Sequence, residues 1–329
     1  MTFAKLPDDT DFIRFSPDFG QRYLVTVDVE EEFDWTRPIK REGYTLETVE
    51  AITDFQTVCE EYGVTPLYLV DWPIICDPRG KAIYGELVRD GRAEVGMQLH
   101  PWVNPPFDEV VSQRNTFPGN LPADLERAKF LALRDAVTDA TGKQPIAYRA
   151  GRYGVGLQTL DLLRESGIRF DTSVRTNFDY SKAEGPDFTH HPLKPYWLDK
   201  PCGIIELPVT SVYWGLLRRQ ATFFPLAQMA GLTKSIMARG RLLERISLTP
   251  EGISVSEVIR GIDVALDDGL PLLNFSFHSP SLRSGFTPYV RNDEDVTAFF
   301  DWWHRVLSYL ARRGVSPTNL AEIEASIVR

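Results

Sequence analysis

The sequence predicts an α/β fold whose mostly parallel strands curl into a barrel and bring their polar ends to one face. Three observations lead there. Short apolar segments alternate with amphipathic helical ones from Tyr23 onward, glycines follow several of the helical stretches, and the chemically capable polar residues stand directly behind apolar strands.

Seven candidate strands are legible: Tyr23–Val27, Thr65–Val70, Ala93–Met97, Pro145–Tyr148, Arg169–Ser173, Gly203–Leu207 and Pro271–Phe277. Helical stretches fall at Thr45–Tyr62, Lys81–Arg89, Pro122–Thr141, Gly156–Ser166, Ser254–Asp267 and Asp293–Arg313. Gly63, Gly142 and Gly167 follow three of these, where a helix commonly leaves through a left-handed residue. Such units cross over right-handed and build a parallel sheet, either closed into a barrel or left open. Asp28 and Glu30 follow the first strand, Gln98 and His100 the third, and Arg149 and Arg152 the fourth; Asp171 caps the fifth and His278 follows the seventh. A barrel gathers all of these on its C-terminal face, whereas an open doubly wound sheet spreads them along a crevice, so the barrel is favoured. Residues 1–329 are read as a single domain, since such barrels commonly spend a whole chain of this length on one core.

Composition narrows the function classes. With 43% apolar and 25% charged residues, disorder is not the default. A net charge of −10, from 46 acids against 36 bases, argues against a nucleic-acid partner. No secretory signal opens the chain, and no apolar run approaches the ~18 residues of a membrane span. Scattered Cys59, Cys76 and Cys202 fit reduced thiols, so a cytoplasmic protein is expected. One segment breaks the rhythm: 212–246 carries Arg218, Arg219, Lys234, Arg239, Arg241 and Arg245 against the single acid Glu244, interleaved with Trp214, Phe223 and Phe224. It reads as a helical insertion packed on the barrel. Alternatively it is a lid or contact surface for a polyanionic, lipid-linked or nucleotide-linked substrate, with peripheral membrane contact through the same stretch.

The acidic run Asp28-Val-Glu30-Glu31-Glu32 ends an apolar strand, and its mutual repulsion calls for a cation, a shared proton or exposure to water. Alternation places Asp28 and Glu30 on one side and Glu31 on the other. His100 is locked between a strand and Pro101, and a strongly apolar strand delivers His278 to the same rim. Arg149, Arg152 and Tyr153 sit among turn glycines whose spacing matches neither a dinucleotide fingerprint nor a P-loop; the arginines are read as positioning a carboxylate or binding a substrate oxygen.

Taken together, TVDVEE (26–31), EVGMQLHPW (94–102), NTFPGNLP (115–122), YRAGRYG (148–154), FDTS (170–173), IIELPV (204–209) and LNFSFHSPSL (273–282) resemble the polysaccharide deacetylase (NodB-homology) family, especially its WalW-like branch. The resemblance implies a distorted (β/α)7-type barrel and metal-assisted hydrolysis of an N-acetyl amide on a sugar. It implies catalytic roles for Asp28 as base, Arg149 as its orienting partner and His278 as general acid. Glu30, His100 and Gln98 are then the metal ligands, for zinc or else cobalt or nickel, and Trp102, Arg152, Tyr153 and Asp171 lie on the substrate side. Gln98 stands where this branch usually has a histidine, and an amide oxygen is the poorer ligand. Two other outcomes follow from the same residues: a catalytically degenerate protein that binds a glycan or a partner, without metal, and a hydrolase of a non-sugar amide or imide. The oligomeric state is left open.

Overall fold

A computed structural model describes residues 5–219 and 242–328. Its strands are β1 (Arg22–Val29), β2 (Leu67–Val70), β3 (Glu94–Leu99), β4 (Ala147–Ala150), β5 (Phe170–Asp171), β6 (Tyr196–Asp199), β7 (Ile204–Glu206), β8 (Ser211–Trp214), β9 (Glu244–Ser247), β10 (Leu272–His278) and β11 (Ser316–Pro317). The main sheet runs β10-β1-β2-β3-β4-β5-β7-β6, with β11 beside the start of β1. Its ladders are parallel except for the β6–β7 pair. The helices are α1 (Ile52–Glu61), α2 (Trp72–Cys76), α3 (Pro78–Arg89), α4 (Ala123–Thr141), α5 (Thr159–Ser166), α6 (Val255–Asp267), α7 (Asp293–Arg312) and α8 (Leu320–Ala325). Gly142 and Gly167 close α4 and α5 in left-handed conformations. None of the described helices is long and apolar enough to cross a membrane.

Every one of the seven sequence-read strands is present, but the curl is not closed by a strand ladder. Among the described residues β6 and β10 stand at the two ends of the sheet. The seam between β7 and β10 is bridged instead by irregular backbone: Thr210 N donates to Asn274 O (3.1 Å), and Ser276 N donates to Leu248 O (3.2 Å). The reason lies in β6, which turns back antiparallel onto β7 and occupies the edge that a closing strand would need. The expected seven-unit barrel is therefore a curled half-barrel.

The expected helical insertion over 212–246 is also corrected at its flanks. Ser211–Trp214 and Glu244–Ser247 pair as an antiparallel two-stranded ribbon; residues 220–241, which hold most of the insertion, lie outside the described residues.

Alternation along the strands sorts the interior into layers. On β10, Phe275 and Phe277 point to the helices, packing on Trp303 at 6.0 and 5.6 Å, while Asn274 and Ser276 point into the curl. The lower interior is apolar: Leu24, Leu67, Leu69, Ala147, Ile205 and Leu272 form a cluster with Leu320 and Ile323 of α8. Above it the inward residues become Thr26, Arg149 and Asn274, and above those come Asp28, His100 and His278. The plug below makes the C-terminal ends of the strands the open end.

Replacing Phe277 by Ala removes a buried ring packed on Phe55 (4.7 Å), Phe299 (5.2 Å) and Trp303 (5.6 Å). Urea unfolding should show a loss of about 3–5 kcal/mol. A loss below ~1 kcal/mol would mean that this layer does not hold β10 against the helices.

Candidate active site

Parallel register sets the first geometry. Asp28 is directly opposite His278 on the β1–β10 ladder, and Gln98 is opposite Arg149 on the β3–β4 ladder. Arg149 spans the two halves. It is fully buried and ion-paired to Asp28. The rest of its fork is satisfied too: Nε donates to Thr172 O (2.9 Å), and the terminal nitrogens donate to Ser276 Oγ (2.8 Å), Thr26 Oγ1 (2.9 Å) and Thr172 Oγ1 (3.0 Å). A guanidinium with five donors tolerates full burial when all five have acceptors.

His278 lies 3.7 Å from Asp28 Oδ2 through Nε2. Its Nδ1 is 2.8 Å from Glu251 Oε2, and Glu251 also accepts from His278 N (3.1 Å) and Ser281 Oγ (2.7 Å). Burial alone would lower the His278 imidazole, but the surrounding carboxylates of Glu251, Glu30 and Asp28 outweigh it and raise it to about 10. Glu251 is held below its ordinary value, since His278 and Ser281 more than offset its burial.

On the other side His100 Nδ1 is 3.0 Å from Glu31 Oε2, leaving Nε2 3.5 Å from Glu30 Oε2. Glu31 also accepts from Trp102 Nε1 (2.6 Å), and its own N–H donates to Asp71 Oδ2 (2.9 Å). Glu31, Asp71 and His100 thus bring three ligand-type groups within 4.8 Å of one another. Their facing atoms, however, are already taken up by each other, Trp102 and the backbone of α2, which Asp71 caps through Ile74 N. This trio is better understood as the support that fixes the His100 ring, with Nε2 aimed away from it. Burial pushes both carboxyls up, Asp71 well above its ordinary value and Glu31 less so, which fits one proton between them.

The atoms without partners lie on the cavity side. Glu30 Oε1 and Gln98 Oε1 are buried and have no hydrogen-bond partner among the described residues. Burial raises the Glu30 carboxyl to about 8 against the pull of His278 and His100. These two orphan oxygens and the His100 Nε2 line one cavity together with Asp28. A cavity of about 630 Å³ opens over them.

Of the residues singled out from sequence, Asp28, Glu30, Gln98, His100, Trp102, Arg149, Arg152, Tyr153 and His278 all line this cavity. Asp171 does not, although it was expected on the substrate side. It is fully buried, bonds to Ser173 and faces Glu206, and burial raises both carboxyls, Glu206 further. Among the tryptophans, Trp35 and Trp102 line the cavity, whereas Trp72, Trp197 and Trp214 do not. Trp102 stacks on His100 (4.3 Å), so its role begins with holding that ring. Gly151 is required here, because a Cβ would overlap the Leu99 carbonyl and the His100 ring.

Sequence reasoning passed over Asp71, Glu251, Arg175 and Tyr289, and it set Glu31 on the side away from Asp28 and Glu30. Asp71 follows the apolar strand Leu67–Val70 directly, the same signal that marked Asp28. Glu251 arrives from the loop after β9 and carries no local signal.

No family model matches the sequence, and neither does any curated relative. Solved structures do share the architecture. A PuuE allantoinase is 14% identical with a TM-score of 0.54, over 94% of this chain and 90% of that one. A probable polysaccharide deacetylase from Pseudomonas aeruginosa PAO1 is 13% identical with a TM-score of 0.50, over 90% and 87%. A 4-alpha-glucanotransferase from Thermococcus litoralis is 11% identical with a TM-score of 0.53, over 94% of this chain and 41% of that one. At these identities the likeness shows the fold.

Glu251→Gln removes the largest carboxylate support of the His278 charge. In chelator-treated protein, NMR titration should place the native imidazole near 10 and the variant well below it. A folded value above the unfolded one of about 6.5 means that the stabilisation is present in full below pH ~6.5 and is lost as pH rises through about 10. The variant should lose that dependence; an unchanged titration would remove Glu251 from this role.

Proposed function

We propose that the protein is a metal-dependent hydrolase of C–N amide bonds that removes an acyl group, acetyl in the first instance, from an amino sugar or sugar-like substrate. The observation carrying the reading is the pairing of a buried, Arg149-anchored Asp28 and a Glu251-anchored His278 beside two orphan carbonyl-type oxygens at Glu30 and Gln98. The resemblance of the motifs supports it, and so does the fold shared with the probable polysaccharide deacetylase from Pseudomonas aeruginosa.

Glu30, His100 and Gln98 would hold the cation, with Glu31 fixing the His100 tautomer. A divalent cation bound there supplies Lewis-acid polarisation of the amide carbonyl and acidification of water. Asp28 takes the proton of the attacking water, held and aimed by Arg149. His278 carries a proton at neutral pH and hands it to the departing amine. A group near 10 is a reluctant acid, but part of that elevation comes from Glu30, so neutralising the Glu30 charge draws His278 toward the working range.

A second reading, hydrolysis of a non-sugar amide, is favoured by the shared fold of the allantoinase, whose name points to a cyclic ureide. Acetylated amino sugars assayed beside small cyclic amides separate the two.

Purified protein should contain about one divalent metal per chain by elemental analysis and release acetate in a metal-dependent way. Asp28→Asn and His278→Ala should each reduce turnover by ~10²–10⁴-fold; smaller losses on both would defeat the role assignment. Gln98→His should tighten metal binding with a modest change in turnover. A native protein without metal or turnover that gains both on this change would instead be a binding protein built on a hydrolase fold.

A further inference from the structure

The cavity has a second pole. Beyond the acidic side at Asp28 and Glu30 its wall carries Arg152 and Arg175. Neither has a carboxylate within 4 Å among the described residues, although the chain holds 46 acids. Residues 1–4 and 220–241 contain no Asp or Glu, so they cannot supply one from their side chains. Arg175 reaches the Tyr180 hydroxyl at 3.3 Å, lies over the rings of Tyr153 (5.3 Å) and Phe178 (3.9 Å), and leaves its buried Nε without a partner. Arg152 bonds to the Thr116 hydroxyl and lies over Phe117 at 4.3 Å.

Arg245 adds a third guanidinium with no carboxylate within 4 Å among the described residues, 3.6 Å from the Phe178 ring and bonded to the Asn177 carbonyl. Holding buried cations close together with no carboxylate in salt-bridge reach among the described residues is costly; Glu251 acts on Arg175 only from further off, and burial together with Arg175 lowers the Arg245 guanidinium. Aromatic stacking offsets part of this cost but supplies no opposite charge. Arg149 and Arg175 share the Tyr153 ring, at 5.8 and 5.3 Å, so the unpaired charges stand immediately beside the Asp28–Arg149 pair. A substrate of a few ångströms can touch both poles.

We propose that the substrate carries an anionic group, carboxylate or phosphate, that is received by Arg175 and Arg152 while its amide lies against Asp28, Glu30 and His278. This deepens the hydrolase reading and rests on it. The planar forks of two arginines suit either oxyanion.

The test is equilibrium binding to full-length protein by calorimetry at low and high salt, with three N-acetyl sugars: neutral N-acetylglucosamine, carboxylate-bearing N-acetylmuramic acid and N-acetylglucosamine 1-phosphate. At least one anionic sugar should bind roughly 10–100-fold more tightly than the neutral one at low salt, with the gap narrowing as salt rises. Whichever anion gains identifies the source. Arg175→Met and Arg152→Met should each shrink the anion-to-neutral ratio tenfold or more, while Arg175→Lys restores part of it. Equal binding of all three sugars, or a preference that survives in both Met variants, overturns the proposal even if acetate is released. Inorganic phosphate separates the two readings: phosphate binding that is lost in Arg175→Met without any sugar binding keeps the anion site and overturns the sugar reading. No binding of any probe overturns both.

Discussion

The site depends on one buried cation. Arg149 reaches the interior from β4, where no water can solvate it, and the surrounding strands are arranged to meet its five donors. Thr26 on β1, Ser276 on β10 and both the hydroxyl and the carbonyl of Thr172 turn toward it, and Asp28 supplies the counter-charge. Three strands and the segment after β5 are therefore tied through one side chain. Without that set a guanidinium here would lose several kcal/mol to desolvation. With it, Asp28 is fixed in place against the guanidinium, which a base requires.

The remaining acids are managed in pairs. Glu31 faces Asp71, and Asp171 faces Glu206, each pair so deeply buried that one proton between its members is the economical state. Each pair also holds backbone: Asp71 caps α2, and Glu206 accepts from Val174 N at 3.0 Å. Burial that raises these carboxyls works against the interior accumulating the negative charge that its residue count suggests. Glu30 is different, since one of its oxygens faces the cavity and has no hydrogen-bond partner among the described residues. A partnerless oxygen that faces the cavity, as at Glu30 and Gln98, rather than one closed off in the interior, as at Glu206 Oε2, is what marks a place where something binds.

Much of this site could be read from the sequence because strand ends are legible. An apolar run that stops at a charged residue marks the open end of a parallel sheet, and Asp28, His100, Arg149 and His278 all follow that rule. The rule weakened where the strand stopped earlier or later than its pattern. Period-two alternation put Glu31 opposite Glu30, yet β1 ends at Val29 and the chain turns, so both carboxylates reach His100 from different sides. Asp171 ends its strand as the pattern suggests, but its side chain is taken up by Ser173 and Glu206 and closed off from the cavity. Glu251 and Arg175 arrive on loops after β9 and β5, and only the folded chain shows which pole of the cavity each serves. The open seam was equally hidden, because nothing in Tyr196–Asp199 announces that it runs antiparallel.

Strain in the YRAGRYG turn follows from the same demands. Arg152 and Tyr153 are consecutive non-glycine residues with φ of 55° and 61°, a conformation that costs of order 1–3 kcal/mol each. A relaxed turn would carry the chain away from the mouth of the curl. The left-handed pair instead sets Tyr153 within reach of two guanidiniums and lays Arg152 across Phe117, and these contacts hold the turn in place. Gly151 completes the constraint by letting the backbone pass against the His100 ring. The turn therefore joins the acidic pole, the imidazole and the cationic pole in four residues, and its strain is the consequence of serving all three at once.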